Sequence, residues 1–346
     1  MRVGILTAGG DCPGLNAAIR AAARKLLDDG HEPVGLLRGF RGLCDPALRM
    51  PLTRSALTGI VQLGGTILQT SSFDPYRDDG GIDRVRTAQQ AAPLDAVIAI
   101  GGDHTMQIAR RLSDDGVAVV GMPKTIDNDV AGTDRTFGAD TAVQVATDAI
   151  DRLRTTAQSH DRAMVVEVMG RDSGSIAAEA GLASGADLIL VPEIESPLDA
   201  VVASVAARHV GGKRFSIIVV AEGARLMRSE ASGGGPAFLS DRRDEHGFVR
   251  FGGVGAALAD AIEVRTGIET RATVLGHVQR GGTPVASDRI LATRLGLHAA
   301  ELVASDQTGR MAALRGREIT SVPLADTDGL RPVDPAILAA AAIFFS

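Results

Sequence analysis

Short apolar runs recur along the chain, and the longer stretches between them place apolar residues every third or fourth position. The short runs predict strands at 3–7, 96–100, 117–120, 163–168, 188–191, 215–220 and 272–275. Many are rich in Val and Ile on both faces, the mark of strands buried in a parallel sheet. The longer stretches predict helices over 15–27, 82–91, 105–112, 139–153, 198–208, 254–265 and 286–303. Strand and helix alternate, so the fold class is α/β, with doubly wound, parallel-rich sheets sandwiched by helices. In such folds ligands gather at the carboxyl ends of the strands, and the turns there are where chemistry is sought. A mixed stretch at 228–253, containing Gly233-Gly234-Gly235-Pro236, reads as a long surface loop or hairpin.

Composition narrows the picture. The 346 residues are 45% hydrophobic and 23% charged, enough for about two domains with cores of their own. A formal net charge of −6 gives no basic field for nucleic acid or an anionic membrane, so neither is expected as a partner. No apolar run reaches membrane-spanning length, and the first residues run straight into a strand without a leader pattern. The two cysteines, Cys12 and Cys44, form neither a disulfide framework nor a metal motif, and a reducing cytoplasm is the expected location. Lys25, Lys124 and Lys213 are the only lysines, so the positive charge is nearly all arginine. The guanidinium fork suits phosphate, although a GC-rich genome produces the same excess on a surface.

Three glycine- or charge-rich turns follow predicted strands. Gly9-Gly10-Asp11-Cys12-Pro13-Gly14 comes after the first and before a helix, where backbone N–H groups can meet an anion. Gly101-Gly102-Asp103-His104-Thr105 follows 96–100 and sets a carboxylate where phosphate would dock. Two negative groups tolerate each other there with a cation between them, so Asp103 points to Mg²⁺; the competing structural role is a helix N-cap. Pro123-Lys124-Thr125-Ile126-Asp127-Asn128-Asp129 follows 117–120 and gathers an ammonium, a hydroxyl and carboxylates. Phosphoryl transfer to an alcohol needs a base, which Asp127 can supply, and positive charge, which Lys124 can supply.

With these turns in this order, the chain resembles the phosphofructokinase family. The likeness extends through Val168-Met169-Gly170-Arg171, Ala221-Glu222-Gly223 and the run from Thr273 to Pro284, which is highly specific to that family. NAD kinases and lipid kinases share the Gly-Gly-Asp-x-Thr turn, but these later motifs argue against them. The resemblance implies a two-lobed fold, with a larger donor lobe at 1–138 plus 281–346, a sugar-phosphate lobe at 139–280, and the active site in the cleft. It implies Mg²⁺-dependent transfer to the 1-hydroxyl of fructose 6-phosphate, giving fructose 1,6-bisphosphate. By the same resemblance, Gly10, Gly102, His104 and Thr105 border the phosphoryl donor and Asp103 holds Mg²⁺. Asp127 is the base, with Lys124 and Thr125 beside it, and Thr125 and Ile126 border the acceptor. Met169, Gly170, Arg171 and Glu222 contact the sugar phosphate, as do Val278 and Gln279. His277, Arg280, Arg162 and Arg271 clamp the 6-phosphate, the last two reaching from a neighbouring subunit of a homodimer or homotetramer.

The sequence departs from the family pattern at several positions. Residue 104 is His, where ATP-using members have Gly and pyrophosphate-using members Asp. An imidazole crowds the α-phosphate position, so pyrophosphate is the expected donor and ATP the alternative. Ser72 stands where most relatives have an arginine bridging the two phosphates, with Arg77 the nearest substitute in sequence. Asp172 and Ser175 replace a His and a Trp of pyrophosphate-type members, which leaves open another sugar phosphate as acceptor, or a sensor without turnover. Arg20, Arg24, Arg54, Arg154 and Lys213 resemble an effector pocket, or are solvated helix faces.

Overall fold

A computed structural model describes residues 1–229, 234–237 and 253–343. Most of the loop expected at 228–253 therefore lies outside the described residues. The chain divides into two compact units, Met1–Thr141 with Arg280–Arg331, and Ala142–Gln279 with Pro332–Ser346.

The first unit is built on a single sheet. Its elements are β1 (Arg2–Thr7), α1 (Leu15–Asp28), β2 (Glu32–Leu36), α2 (Arg41–Cys44), β3 (Arg49–Pro51), α3 (Gly81–Ala91), β4 (Ala96–Gly101), α4 (Asp103–Asp114), β5 (Val119–Thr125) and β6 (Phe137–Gly138). From α5 (Ala139–Ser159) the chain runs into the second unit: β7 (Ala163–Val168), α6 (Ser175–Ala183), β8 (Leu188–Leu190), β9 (Ser196–Pro197), α7 (Leu198–Val210), β10 (Ser216–Ala221), β11 (Leu226–Met227), α8 (Val254–Thr266) and β12 (Thr270–Val274). It returns through α9 (Ala286–Ala304), β13 (Arg310–Arg315) and β14 (Glu318–Pro323), and ends on α10 (Pro335–Ala342).

In the first sheet the strand order is β14-β13-β5-β4-β1-β2-β3, with β6 beside β5. The central pairs are parallel, and Thr7 lies opposite Ile100 while Gly101 lies opposite Pro123. This register brings the ends of β1, β4 and β5 level, so the three candidate turns open on one edge. β1 and β4 are buried almost throughout, which explains why their sequences do not alternate. The second unit has a parallel sheet in the order β12-β7-β10-β8, with its own core around Val165, Ile218, Leu258 and Ile262.

Two expectations need correction. β5 spans 119–125 rather than 117–120, because Lys124 and Thr125 pair with Phe137 and Gly138 of β6. Lys124 is therefore buried in a strand end, not carried on a loop. The segment from Pro332 onward belongs to the second unit, not the first. α10 packs against α6, and the backbone N–H of Val333 donates to Glu193 Oε1 at 3.2 Å.

The stretch joining β5 to α5 is held by Asp288 of α9. Its buried carboxylate accepts from the backbone N–H of Gly138 (2.8 Å) and Thr141 (2.8 Å), and from Thr141 Oγ1 (2.5 Å). Asp288→Ala leaves three buried donors unpaired, and should cost about 3 kcal/mol or more of unfolding free energy, read by urea titration. A loss under about 1 kcal/mol would show that the stretch is fixed by other contacts.

Candidate active site

The first turn is tied to its neighbours by backbone and hydroxyl contacts. Gly9 takes a positive φ of 77°, its N–H donates to the Ser71 carbonyl (3.1 Å), and its carbonyl accepts from Thr70 Oγ1 (2.6 Å). A Cβ at Gly10 would lie 2.5 Å from Arg280 Nη1, so any larger residue there shifts that guanidinium from its place over the turn. Arg280, assigned by resemblance to the 6-phosphate clamp, thus sits against the first turn.

The second turn enters α4. Gly102 occupies the N-cap position, so the N-cap role for Asp103 does not hold; Asp103 is in the first helical turn. Its Oδ2 accepts from Gln107 Nε2 at 2.7 Å, whereas Oδ1 is buried with no partner. Burial raises the Asp103 pKa above the ordinary carboxylate value, partly offset by the Gln107 bond. An orphaned carboxylate oxygen at this edge fits Mg²⁺, an oxygen-seeking ion that keeps several waters and phosphate oxygens as ligands. His104 follows, its side chain 46% exposed, with Nε2 3.4 Å from Oδ2 of the buried Asp74. Thr105 is buried, and its Oγ1 would lie 3.9 Å from a Cβ at Gly9, as would Lys124 Nζ.

The third segment completes the edge. Lys124 is 3% exposed and its ammonium donates to the Gly10 carbonyl. Burial lowers its pKa, opposed by the charges of Asp11 and Asp127. From the strand's last residue onward, Thr125, Asp127 and Asp129 are part-exposed while Ile126 and Asn128 are buried, so one side of the segment stays open. Asn128 adopts φ 53°, where Asn is tolerated, and its side-chain oxygen accepts from the Thr136 N–H (3.0 Å). Thr136 Oγ1 donates to the Thr125 carbonyl (2.8 Å), and Arg331 N–H to that of Asp129 (2.7 Å). The Asp127 N–H donates to Thr125 Oγ1 (3.1 Å). Gly10, Gly102, Asp103, Thr105, Lys124 and Arg280 therefore meet at one sheet edge, with Asp127 on the adjoining segment.

In the second unit the carboxyl ends of β7, β10 and β12 gather another set. Gly170 has φ 136°, and a Cβ at Gly223 would lie 1.8 Å from the Arg171 carbonyl oxygen, so the turns after β7 and β10 interlock. Met169 and Gly170 are buried here, Arg171 and Glu222 part-exposed, and Arg171 Nε lies 3.5 Å from Asp172 Oδ2. The Leu275 N–H donates to the Glu167 carbonyl (3.0 Å), which leads the 276–280 turn past the end of β7. On that turn His277 and Val278 are exposed and Gln279 is buried, its Nε2 donating to the Gly276 carbonyl (3.1 Å). Ser175, one of the departures, is buried and its Oγ lies 2.9 Å from Ser173 Oγ.

Arg162 and Arg271 stand elsewhere. They flank the amino ends of β7 and β12, a six-residue strand (roughly 20 Å) away from Met169 and Arg171. Of the resembled effector residues, Arg54 pairs with Asp28, and Arg154 donates to the Ser184 and Gly185 carbonyls. Cys12 and Cys44 are both free thiols. No described helix is long and apolar enough to cross a membrane.

Sequence reasoning missed the residues that hold the turns. Asp74 faces both His104 and Arg77, whose Nε lies 3.5 Å from the same Oδ2. Thr70, Ser71 and Thr136 brace the first and third segments, and only the φ-tolerant Asn128 gave a sequence signal.

The Phosphofructokinase family model matches residues 2–303. The chain belongs to the phosphofructokinase family. Within it, the chain is 53% identical, over the full length of both, to a pyrophosphate–fructose 6-phosphate 1-phosphotransferase of Amycolatopsis methanolica. It is 49% identical, over 94% of each chain, to ATP-dependent 6-phosphofructokinase 3 of Streptomyces coelicolor. The solved phosphofructokinase of Saccharomyces cerevisiae superposes with a TM-score of 0.79 at 30% identity, covering 99% of this chain and 48% of that one. The chain thus spans about half the length of that yeast relative.

Proposed function

We propose that this phosphofructokinase moves a phosphoryl group from pyrophosphate to the 1-hydroxyl of fructose 6-phosphate, giving fructose 1,6-bisphosphate and phosphate. The observation that carries the reading is the edge where Gly10, Asp103 and Lys124 converge with Asp127 alongside. The 53% identity to a pyrophosphate-using relative supports the donor.

Asp127 accepts the proton of the 1-hydroxyl, whose oxygen then bonds to the transferred phosphorus as the bridging P–O bond of the donor breaks. Lys124, buried and already directed at Gly10, offers its charge to the transferring phosphoryl at no reorganisation cost. Arg280 and the N–H groups of the first turn receive the leaving phosphate. Asp103 would hold Mg²⁺, which supplies charge neutralisation between donor phosphates. Met169, Gly170, Arg171, Glu222, His277, Val278 and Gln279 bind the acceptor. Steady-state turnover with Mg²⁺ and fructose 6-phosphate, comparing pyrophosphate with ATP, tests the reading. Turnover with ATP alone would establish the second reading, which the 49% identity to an ATP-dependent relative favours.

The separation of Arg162 and Arg271 from Met169 and Arg171 supports a shared site. A hexose phosphate is shorter than the strand between the two sets, so one ligand touches both only when two copies contribute. Asp127→Ser protein and Arg162→Ala/Arg271→Ala protein should each be nearly inactive. Co-refolded, they should recover about a quarter of wild-type turnover, since half of random dimers hold one intact site. No recovery in a mixed oligomer would sink the sharing.

A further inference from the structure

The two arginines at the amino ends of β7 and β12 already share an anion. Thr270 pairs with Ala163, so the preceding residues, Glu269 and Arg162, are neighbours. Glu269 Oε1 lies 3.1 Å from Arg162 Nη2 and 2.7 Å from Arg271 Nη2. Arg271 Nη1 reaches instead to Glu263 Oε2 (3.0 Å) and the Thr270 carbonyl (2.9 Å). The two carboxylates differ in tether. Glu263 Oε2 also accepts the Thr270 backbone N–H at 3.2 Å, which ties it to the strand. Oε1 of Glu269 is held by the guanidinium groups, and its side chain is 42% exposed.

We propose that Glu269 is the resident anion of the Arg162–Arg271 pair: its Oε1 occupies the place of a phosphate oxygen and yields it when a sugar phosphate binds. The proposal rests on the reading that these arginines hold the acceptor's phosphate. One oxygen bridging two guanidinium groups is the arrangement a phosphate makes with such a pair, and a dianion outcompetes a carboxylate for it. Because Glu269 is half-exposed, it swings into water on displacement and buries no charge. Glu263 stays, keeping Arg271 aimed. Glu269 thereby keeps the two like charges from repelling when no substrate is present, and charges each binding event the loss of two ion pairs.

The test is the KM for fructose 6-phosphate of Glu269→Gln, with Glu269→Ala as a second variant. Exposed pairs of this kind are individually weak, so KM should fall about three- to tenfold. The signature is a split: kcat and the KM for pyrophosphate should move far less, whereas a merely structural role would lower kcat and thermal stability together. Arg162→Ala and Arg271→Ala should raise KM for fructose 6-phosphate in the same assay. If they do and the Glu269 variants leave KM unchanged or higher, the resident-anion role is overturned and the arginine assignment stands. If the arginine variants leave KM unchanged as well, both fall.

Discussion

Asp127→Ser should lower turnover by about three orders of magnitude while changing the KM for fructose 6-phosphate only a few-fold. General-base catalysis contributes about 10²–10⁴-fold. Asp129 is two residues on and open on the same side, but its carbonyl is pinned by the Arg331 N–H at 2.7 Å. The loss should fall on kcat because Asp127 acts on a proton in transit and not on a formed ligand charge. Asp127→Asn is the closer control: it keeps the shape and the backbone bond to Thr125 Oγ1 and removes only the basic lone pair. Single-turnover rates with pyrophosphate would separate chemistry from product release. A variant within tenfold of wild type would remove Asp127 as base.

The site was legible where the chemistry is local in sequence. Glycine beside aspartate after an apolar run announced the turns at Gly9 and Gly101, because a short strand followed by a helix needs those residues at an anion-facing bend. Elements without period or length were invisible. α6 is apolar on nearly every face, so no helical stripe marks it, and β2 carries Pro33 and Gly35, which read as turn residues. β5, expected at 117–120, runs on to Thr125 because the pairing of Lys124 with Phe137 carries the strand past Pro123. Pairings between residues distant in sequence had no sequence signal at all. Glu269 beside Arg162, and Asp74 beside His104, exist only once strands and loops are laid together.

His104→Gly should open the site to ATP. His104 is in the first turn of α4, one residue after Asp103, whose Oδ1 lacks a partner. A donor with an α-phosphate and nucleoside must pass further along this turn than pyrophosphate does. Forcing atoms into occupied space costs roughly 1–3 kcal/mol, so kcat/KM with ATP should rise about five- to 150-fold in the variant. The value with pyrophosphate should not rise, since its removal frees no space that donor uses. Glycine within a helix costs up to about 1 kcal/mol, so His104→Ala is the companion that separates lost bulk from a loosened helix start. Both variants gaining ATP use would place donor choice in side-chain volume. A gain confined to glycine would place it in the backbone of the turn. If neither gains, the crowding argument fails, and Ser72, where a bridging arginine is expected, becomes the position to change.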